Sequence, residues 1–141
     1  MFNSIVVAAA LFSKGATSRG LIDKARKMLS PGGTITLVHV LDEIPPYMVA
    51  AMTKEQLMNH RKAVREQLES LAAAARGVQV DVDLRAGKPS TQILQCAKEC
   101  NADLIMIASH KPGFSDYFIG STAARVVRHS PISVLVSRRF S

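Results

Sequence analysis

Gly120-Ser121-Thr122, preceded at close range by Ser109-His110-Lys111, holds the residue types of an anion site. A strand that runs into small and basic residues and then into a glycine-led helix start is how α/β proteins cradle phosphate. The first backbone N–H groups of a helix have no partner inside it, and the helix dipole favours negative charge at that end. Ser109, His110, Lys111, Gly120, Ser121 and Thr122 are therefore the candidate phosphate ligands. The Lys111 ammonium would contribute a point charge to phosphate. Catalysis is a poorer reading of the same residues. Ser121 as a nucleophile would need a base and an orienting acid; His110 is the one base in the stretch, and no acid completes a triad. Asp116 and Tyr117, between the two groups, read as loop surface.

The elements that must position this site follow from hydrophobic patterning. Residues 4–10, SIVVAAA, and 103–108, DLIMIA, are short continuous apolar runs, as expected of strands buried on both faces. Thr34–Leu41 is rich in β-branched residues, and VQVDVDL at 78–84 alternates as an outer strand would. ISVLVS at 132–137 is the last strand. Four helical patterns lie between. The first is capped by Thr17, carries Leu21, Ile22, Ala25, Met28 and Leu29 on one stripe, and is stopped by Pro31-Gly32-Gly33. Residues 42–52, with Pro45-Pro46, read as irregular. Thr53 and Gln56 then form a capping box for a long helix with Leu57, Val64, Leu68, Leu71 and Ala75 inward. A third helix spans 89–99 and a fourth 121–129, with Arg125 and Arg128 on its wet face.

This alternation predicts a single-domain, doubly wound parallel five-stranded sheet over residues 1–141, with helices on both faces. The two most apolar strands, the first and fourth, should be central neighbours. The strand order then reverses between them, and ligands bind where the carboxyl ends of such strands diverge. His110, Gly120 and Ser121 follow that end of the fourth strand.

Composition narrows the function. Of the 141 residues, 48% are apolar and 21% charged, ordinary for a globular chain. No apolar run approaches the ~20 residues needed to span a bilayer, and no basic segment precedes the apolar N-terminal stretch as in a signal peptide. A cytoplasmic protein with no membrane partner is the expectation. The net charge of +7 hints at phosphate-bearing partners, but Lys24, Arg26, Lys27, Arg61, Lys62 and Arg65 read as solvated helix faces. With no Trp and two Tyr, the basic residues lack the stacking rings of a nucleic-acid platform, so no specific nucleic-acid binding is expected. Cys96 and Cys100, four apart on one helix without a nearby His, read as packing residues, and no metal site is expected. Met48, Met52 and Met58 read as packing around a flap or as an adaptable apolar surface.

The chain resembles the universal stress protein family over essentially its whole length: the opening strand, LVHV in strand two, the Gly87-Lys88-Pro89 turn, and above all ASHKPGFSDYFIGSTAARVVRHSPISVLVSR. The resemblance implies that family's adenine nucleotide alpha hydrolase-like fold, with strand order 3-2-1-4-5. Nucleotide-binding members carry Gly, two residues, Gly, nine residues, then Gly-Ser or Gly-Thr. Here Gly120-Ser121 matches the closing pair and Ser109-His110 the usual Ser-His. Ala108 and Lys111 replace the two earlier glycines, and eight residues separate Lys111 from Gly120. The resemblance implies ATP, with or without Mg2+, as the cofactor, and Ala9, Ala10, Val40, Ile107 and Ala108 around the base and ribose. It also implies a stress-response or regulatory module whose turnover is at most slow ATP hydrolysis or autophosphorylation, with an unidentified regulatory protein as partner. Nucleotide-binding members end strand one with Pro, a β-branched residue and Asp; this chain has Ala8, Ala9 and Ala10. A ligand hydrogen bond lost there costs ~0.5–1.5 kcal/mol, roughly tenfold in affinity. The alternative reading is thus the same fold acting as a protein-interaction module without useful nucleotide affinity. Finally, Ile132, Val134, Leu135 and Val136 form an apolar strand at a sheet edge, which needs cover. In the family that strand pairs with its twin, which implies a homodimer.

Overall fold

A computed structural model describes residues 1–10, 15–41, 46–109 and 120–138. His110, Lys111, Asp116 and Tyr117 lie outside the described residues. The elements run β1 (Phe2–Ala8), α1 (Ala16–Met28), β2 (Leu29–Leu41), α2 (Pro46–Ala51), α3 (Lys54–Ala74), β3 (Gln79–Ala86), α4 (Pro89–Glu99), β4 (Leu104–Ala108), α5 (Ser121–His129) and β5 (Ser133–Ser137). The five strands form one sheet in the order β3-β2-β1-β4-β5, and every pairing is parallel.

The two central strands are the two most apolar ones, and burial explains why. Ile5, Val6, Val7, Ile105 and Met106 expose no surface. Successive side chains of a strand face opposite layers. Ile5, Val7, Leu104 and Met106 join Leu21, Ile22 and Ala25 of α1 and Leu68 and Leu71 of α3 on one face. Val6, Ala8, Ile105 and Ile107 join Ile93, Cys96 and Ala97 of α4 and Val126 of α5 on the other. Val80, Val82 and Leu84 of β3 pack against the first layer only, which accounts for the alternation in that outer strand.

Local signals resolve in instructive ways. Thr53 caps α3 as its spacing indicates: the Gln56 N–H donates to Thr53 Oγ1 at 3.0 Å, and the Thr53 N–H donates to Gln56 Oε1 at 2.9 Å. Thr17 does not cap α1. That helix starts two residues earlier, with Gly15 at φ 79° in the cap position, and no side chain caps it. Pro31-Gly32-Gly33 does not stand between helix and strand. β2 begins at Leu29, where it pairs with Phe2, and the next pair is Ser4 with Thr34. Two steps along β1 match five along β2, so the three breakers form a bulge within the strand. Gly32 takes φ 80°, and a Cβ on Gly33 would sit 2.8 Å from the Asn3 carbonyl oxygen. The segment read as irregular contains the short helix α2, none of whose residues is buried; residues 42–45 lie outside the described residues.

The amino ends of the central strands are tied by one carboxylate. Asp103 accepts the Asn3 N–H at 2.9 Å and the Ser4 N–H at 3.0 Å, while its own N–H donates to the Ser4 carbonyl at 2.9 Å. The Asn3 bond, foremost, holds the Asp103 carboxyl below the usual carboxylate range. A depressed folded-state pKa stabilises the fold above the unfolded-state value, and that stability is lost as pH falls through the folded value. Asp103→Asn is accordingly expected to lower the urea midpoint at pH 7. The difference from the parent should shrink as pH falls below the ordinary carboxylate range. A difference that is constant from pH 7 to pH 3 would show that the charge of Asp103 is not what stabilises this junction.

Candidate functional site

β1 pairs with β2 on one edge and with β4 on the other. The helices that follow the two central strands pack on opposite faces, α1 in the first layer and α5 in the second. Sheets of this order take ligands in a crevice at the carboxyl ends of such strands, here β1 and β4.

One wall of the crevice is the start of α5. Ser109, the residue after β4, is 1% exposed; its N–H donates to the Ser137 carbonyl at 3.0 Å, and its carbonyl accepts the Gly120 N–H. The approach of Gly120 is so close that a Cβ there would lie 2.8 Å from Ser109 O. Any larger residue would push the start of the helix away from the strand. The glycine is thus required by packing, since its φ of −59° is open to every residue type. Its carbonyl accepts the Ala124 N–H at 2.9 Å, the first bond of α5. No side chain caps the helix, and its first turn holds no acidic residue. Ser121 is exposed and Thr122 half-buried, and among the described residues no carboxylate caps the amino-terminal amides. Arg125 and Arg128 lie exposed farther along α5, on its wet face as expected.

The opposite wall is the exit of β1, and there the structure supplies what the alanines lack. Ser18 of α1 exposes no surface. Its hydroxyl accepts the Ala10 N–H and donates to the Ala10 carbonyl, both at 2.7 Å. The Ala9 N–H donates to the Val38 carbonyl at 2.7 Å, and Nδ1 of His39 stands 3.2 Å from the Ala9 carbonyl. The strand exit is therefore held by its own chain. Sequence reasoning missed Ser18 and His39. The available signal was a hydroxyl on the apolar stripe of α1, three residues before Leu21, where a buried polar group must find a partner.

The residues expected around a base divide between the two faces. Val40 and Ile107 are nearly buried with Ala8 in the layer under α4 and α5. Ala9 and Ala108 pack toward α1 and α3. Lys24, read as a solvated charge, reaches from α1 to the end of β5, where its ammonium donates to Ser137 Oγ at 2.6 Å. That places a cation beside the backbone that anchors Ser109.

Other chemistry-bearing groups lie elsewhere. Cys96 is fully buried and its thiol is pushed well above the usual range, by burial first. The Cys100 thiol donates to the Cys96 carbonyl at 2.7 Å, and the two sulfurs stand 3.9 Å apart. Both act as packing residues. No cluster of three His, Cys, Asp or Glu able to hold a metal occurs among the described residues. An open cleft of about 400 Å3, lined by Arg26, Pro31, Gly32, Gly77 and Gln79 among others, lies at the amino end of β2. It is at the far end of the sheet from the crevice, and the Arg26 guanidinium is engaged with the Arg76 carbonyl at 2.8 Å.

Comparison with known proteins converges on one family. The family model described as "Universal stress protein family" matches residues 1–138. Universal stress protein G of Shigella flexneri is 25% identical over 143 residues, covering 98% of this chain and 100% of that protein. The crystal structure of the hypothetical protein PH0823 superposes with a TM-score of 0.78 at 26% identity, over 100% of this chain and 98% of that one. A universal stress protein from Archaeoglobus fulgidus, solved in complex with dAMP, has a TM-score of 0.63 at 23% identity, over 94% and 95% of the two chains. This last likeness establishes a shared fold. With the sheet order and the family match over nearly every residue in agreement, the chain belongs to the universal stress protein family.

Proposed function

We propose that the chain binds an adenine nucleotide, ATP foremost, at the carboxyl ends of β1 and β4, with the phosphates at the Gly120–Thr122 amides and the base toward Ala9, Ala10, Val40, Ile107 and Ala108. The observation that carries this reading is the approach of Gly120 to Ser109 O, 2.8 Å from where a Cβ would stand. It seats an uncapped helix start, free of acidic side chains, directly on the exit of a central strand. The dAMP complex of the Archaeoglobus fulgidus relative supports the same ligand class. Magnesium would arrive with the nucleotide, since the described residues offer it no carboxylate cluster. The described residues bring no base, nucleophile and acid into register, and on this reading the domain acts as a nucleotide-responsive regulatory module of the cytoplasm rather than as a fast enzyme.

A second reading rests on a specific observation. Ser18, His39 and Val38 already engage the backbone groups of Ala9 and Ala10, which leaves the exit of β1 with less to offer a ribose or base. On that reading the fold serves as an interaction module. Calorimetry with ATP and AMP, with and without magnesium, separates the two. Binding is expected, and Gly120→Ala with Ser121→Ala should weaken it at least about tenfold, the loss of one to two good hydrogen bonds. No heat at millimolar nucleotide would favour the interaction module; unchanged affinity in the double variant would mean that the phosphates lie elsewhere.

We infer further that the domain forms a homodimer through β5, with Ile132, Val134, Leu135 and Val136 at the interface. The Ser137 carbonyl points to β4, where it accepts the Ser109 N–H. By the alternation of a strand, the backbone groups of Val134 and Val136 then point to the open edge. Such an edge is a template for pairing. Val134→Pro removes an outward N–H and leaves the bonds to β4 in place. Light scattering should show a dimer for the parent and a monomer for this variant. A dimer that survives Val134→Pro would refute the β5 interface.

A further inference from the structure

The helix that follows β2 has no place in the core. α2 is six residues long, PYMVAA, with none of them buried. Tyr47 is 76% exposed, Met48 47% and Val49 40%; Met58, one turn into α3, is 66% exposed. Six residues of helix are not stable in water on their own, and contiguous exposed apolar residues mark a contact surface. α3 supplies the charge. Its inward side is fixed by Val64, Leu68 and Leu71. At ~100° per residue, Lys54, Met58, Arg61, Lys62 and Arg65 fall on one arc beside that buried stripe, with Glu55 and Glu66 on the next arc and Glu69 only beyond Arg65. All four basic residues are exposed. None of them takes part in the ion pairs of the described residues, which join Arg26 to Asp23 and Arg85 to Asp83 and Glu99.

We propose that α2 and the first three turns of α3 form a surface that lies on anionic lipid membranes. Charge complementarity selects this partner: the exposed basic residues of α3 follow closely in sequence on the exposed apolar residues of α2. Tyrosine suits the boundary between headgroup and acyl chain, and lysine and arginine stems snorkel from apolar surroundings to phosphate. Apolar residues beside a basic face are the composition of helices that lie in the interface plane. A single aromatic in the patch does not make a stacking platform for nucleic acid. No helix of the described residues is long and apolar enough to cross a membrane, and none needs to. The expectation of no membrane partner rested on the lack of a spanning run, which does not bear on a surface contact. The inference is independent of nucleotide binding, because the patch shares no residue with the crevice.

Vesicle co-sedimentation tests it. The full chain is mixed with phosphatidylglycerol–phosphatidylcholine vesicles and with phosphatidylcholine vesicles, at low and at physiological salt. Binding to the anionic vesicles, weakened by salt and lacking on the neutral ones, is expected. Arg61→Gln with Arg65→Gln should weaken it by about fivefold for each basic residue lost. Tyr47→Ser with Met48→Ser should weaken it at least about tenfold. All four side chains are exposed, and circular dichroism checks that the fold is kept. Lys27→Gln with Lys98→Gln removes the same charge from exposed positions on α1 and α4 and should leave binding unchanged. No binding to anionic vesicles at low salt would overturn the proposal. So would an equal loss in the Lys27/Lys98 variant, or unchanged binding in the Tyr47/Met48 variant, either of which would reduce the effect to adsorption of a cationic protein.

Discussion

The contact between the Gly120 backbone and the Ser109 carbonyl is the constraint on which the functional reading depends. It is a backbone-to-backbone approach that leaves no room for a Cβ, and it fixes where the dipole of α5 begins. Ser109 is itself fixed by its N–H to the end of β5, and β4, buried over Leu104–Ile107, lies between β1 and β5. The sheet therefore sets the strand exit, the strand exit sets the helix start, and the helix start sets the proposed anion site. Each link is made of backbone geometry and burial, so the site is preorganised without any charged residue among the described ones that touch it.

The other half of the crevice is built differently. Where a carboxylate would reach a ligand, this chain has alanines whose backbone is satisfied internally by Ser18 and by β2. Buried backbone groups must be paired by something, and Ser18 is the side chain that does it. The result stabilises the exit of β1 without a carboxylate from Ala8, Ala9 or Ala10.

Much of this was readable from the residues. Continuous apolar runs identified the central strands, strict alternation identified β3 as an outer strand, and Thr53 with Gln56 announced the start of α3. These signals work because each element satisfies its own local pattern and the global burial pattern together. The failures have physical causes. Pro31-Gly32-Gly33 is a breaker by composition, but strand pairing on both sides absorbs it as a bulge. Thr17 is a good cap by type, yet Gly15 beneath Leu71 sets the start of α1 two residues earlier. Ser18 and Lys24 matter through contacts with Ala10 and Ser137, residues distant in sequence or in a neighbouring element. No local spacing rule encodes such a partner. α2 escaped notice because Pro45-Pro46 reads as a breaker, while proline is well accommodated in the first turn of a helix.

The central claim, that the start of α5 is the phosphate site, is tested most directly by following backbone amide resonances during titration with ATP. The amides of Gly120, Ser121 and Thr122 should shift earliest and most, with smaller changes at Ala9 and Ala10 and none at Gly32 or Gly77. Shifts centred on the cleft near Gly32 and Gly77, or a titration that leaves Ser121 and Thr122 unmoved, would contradict the account.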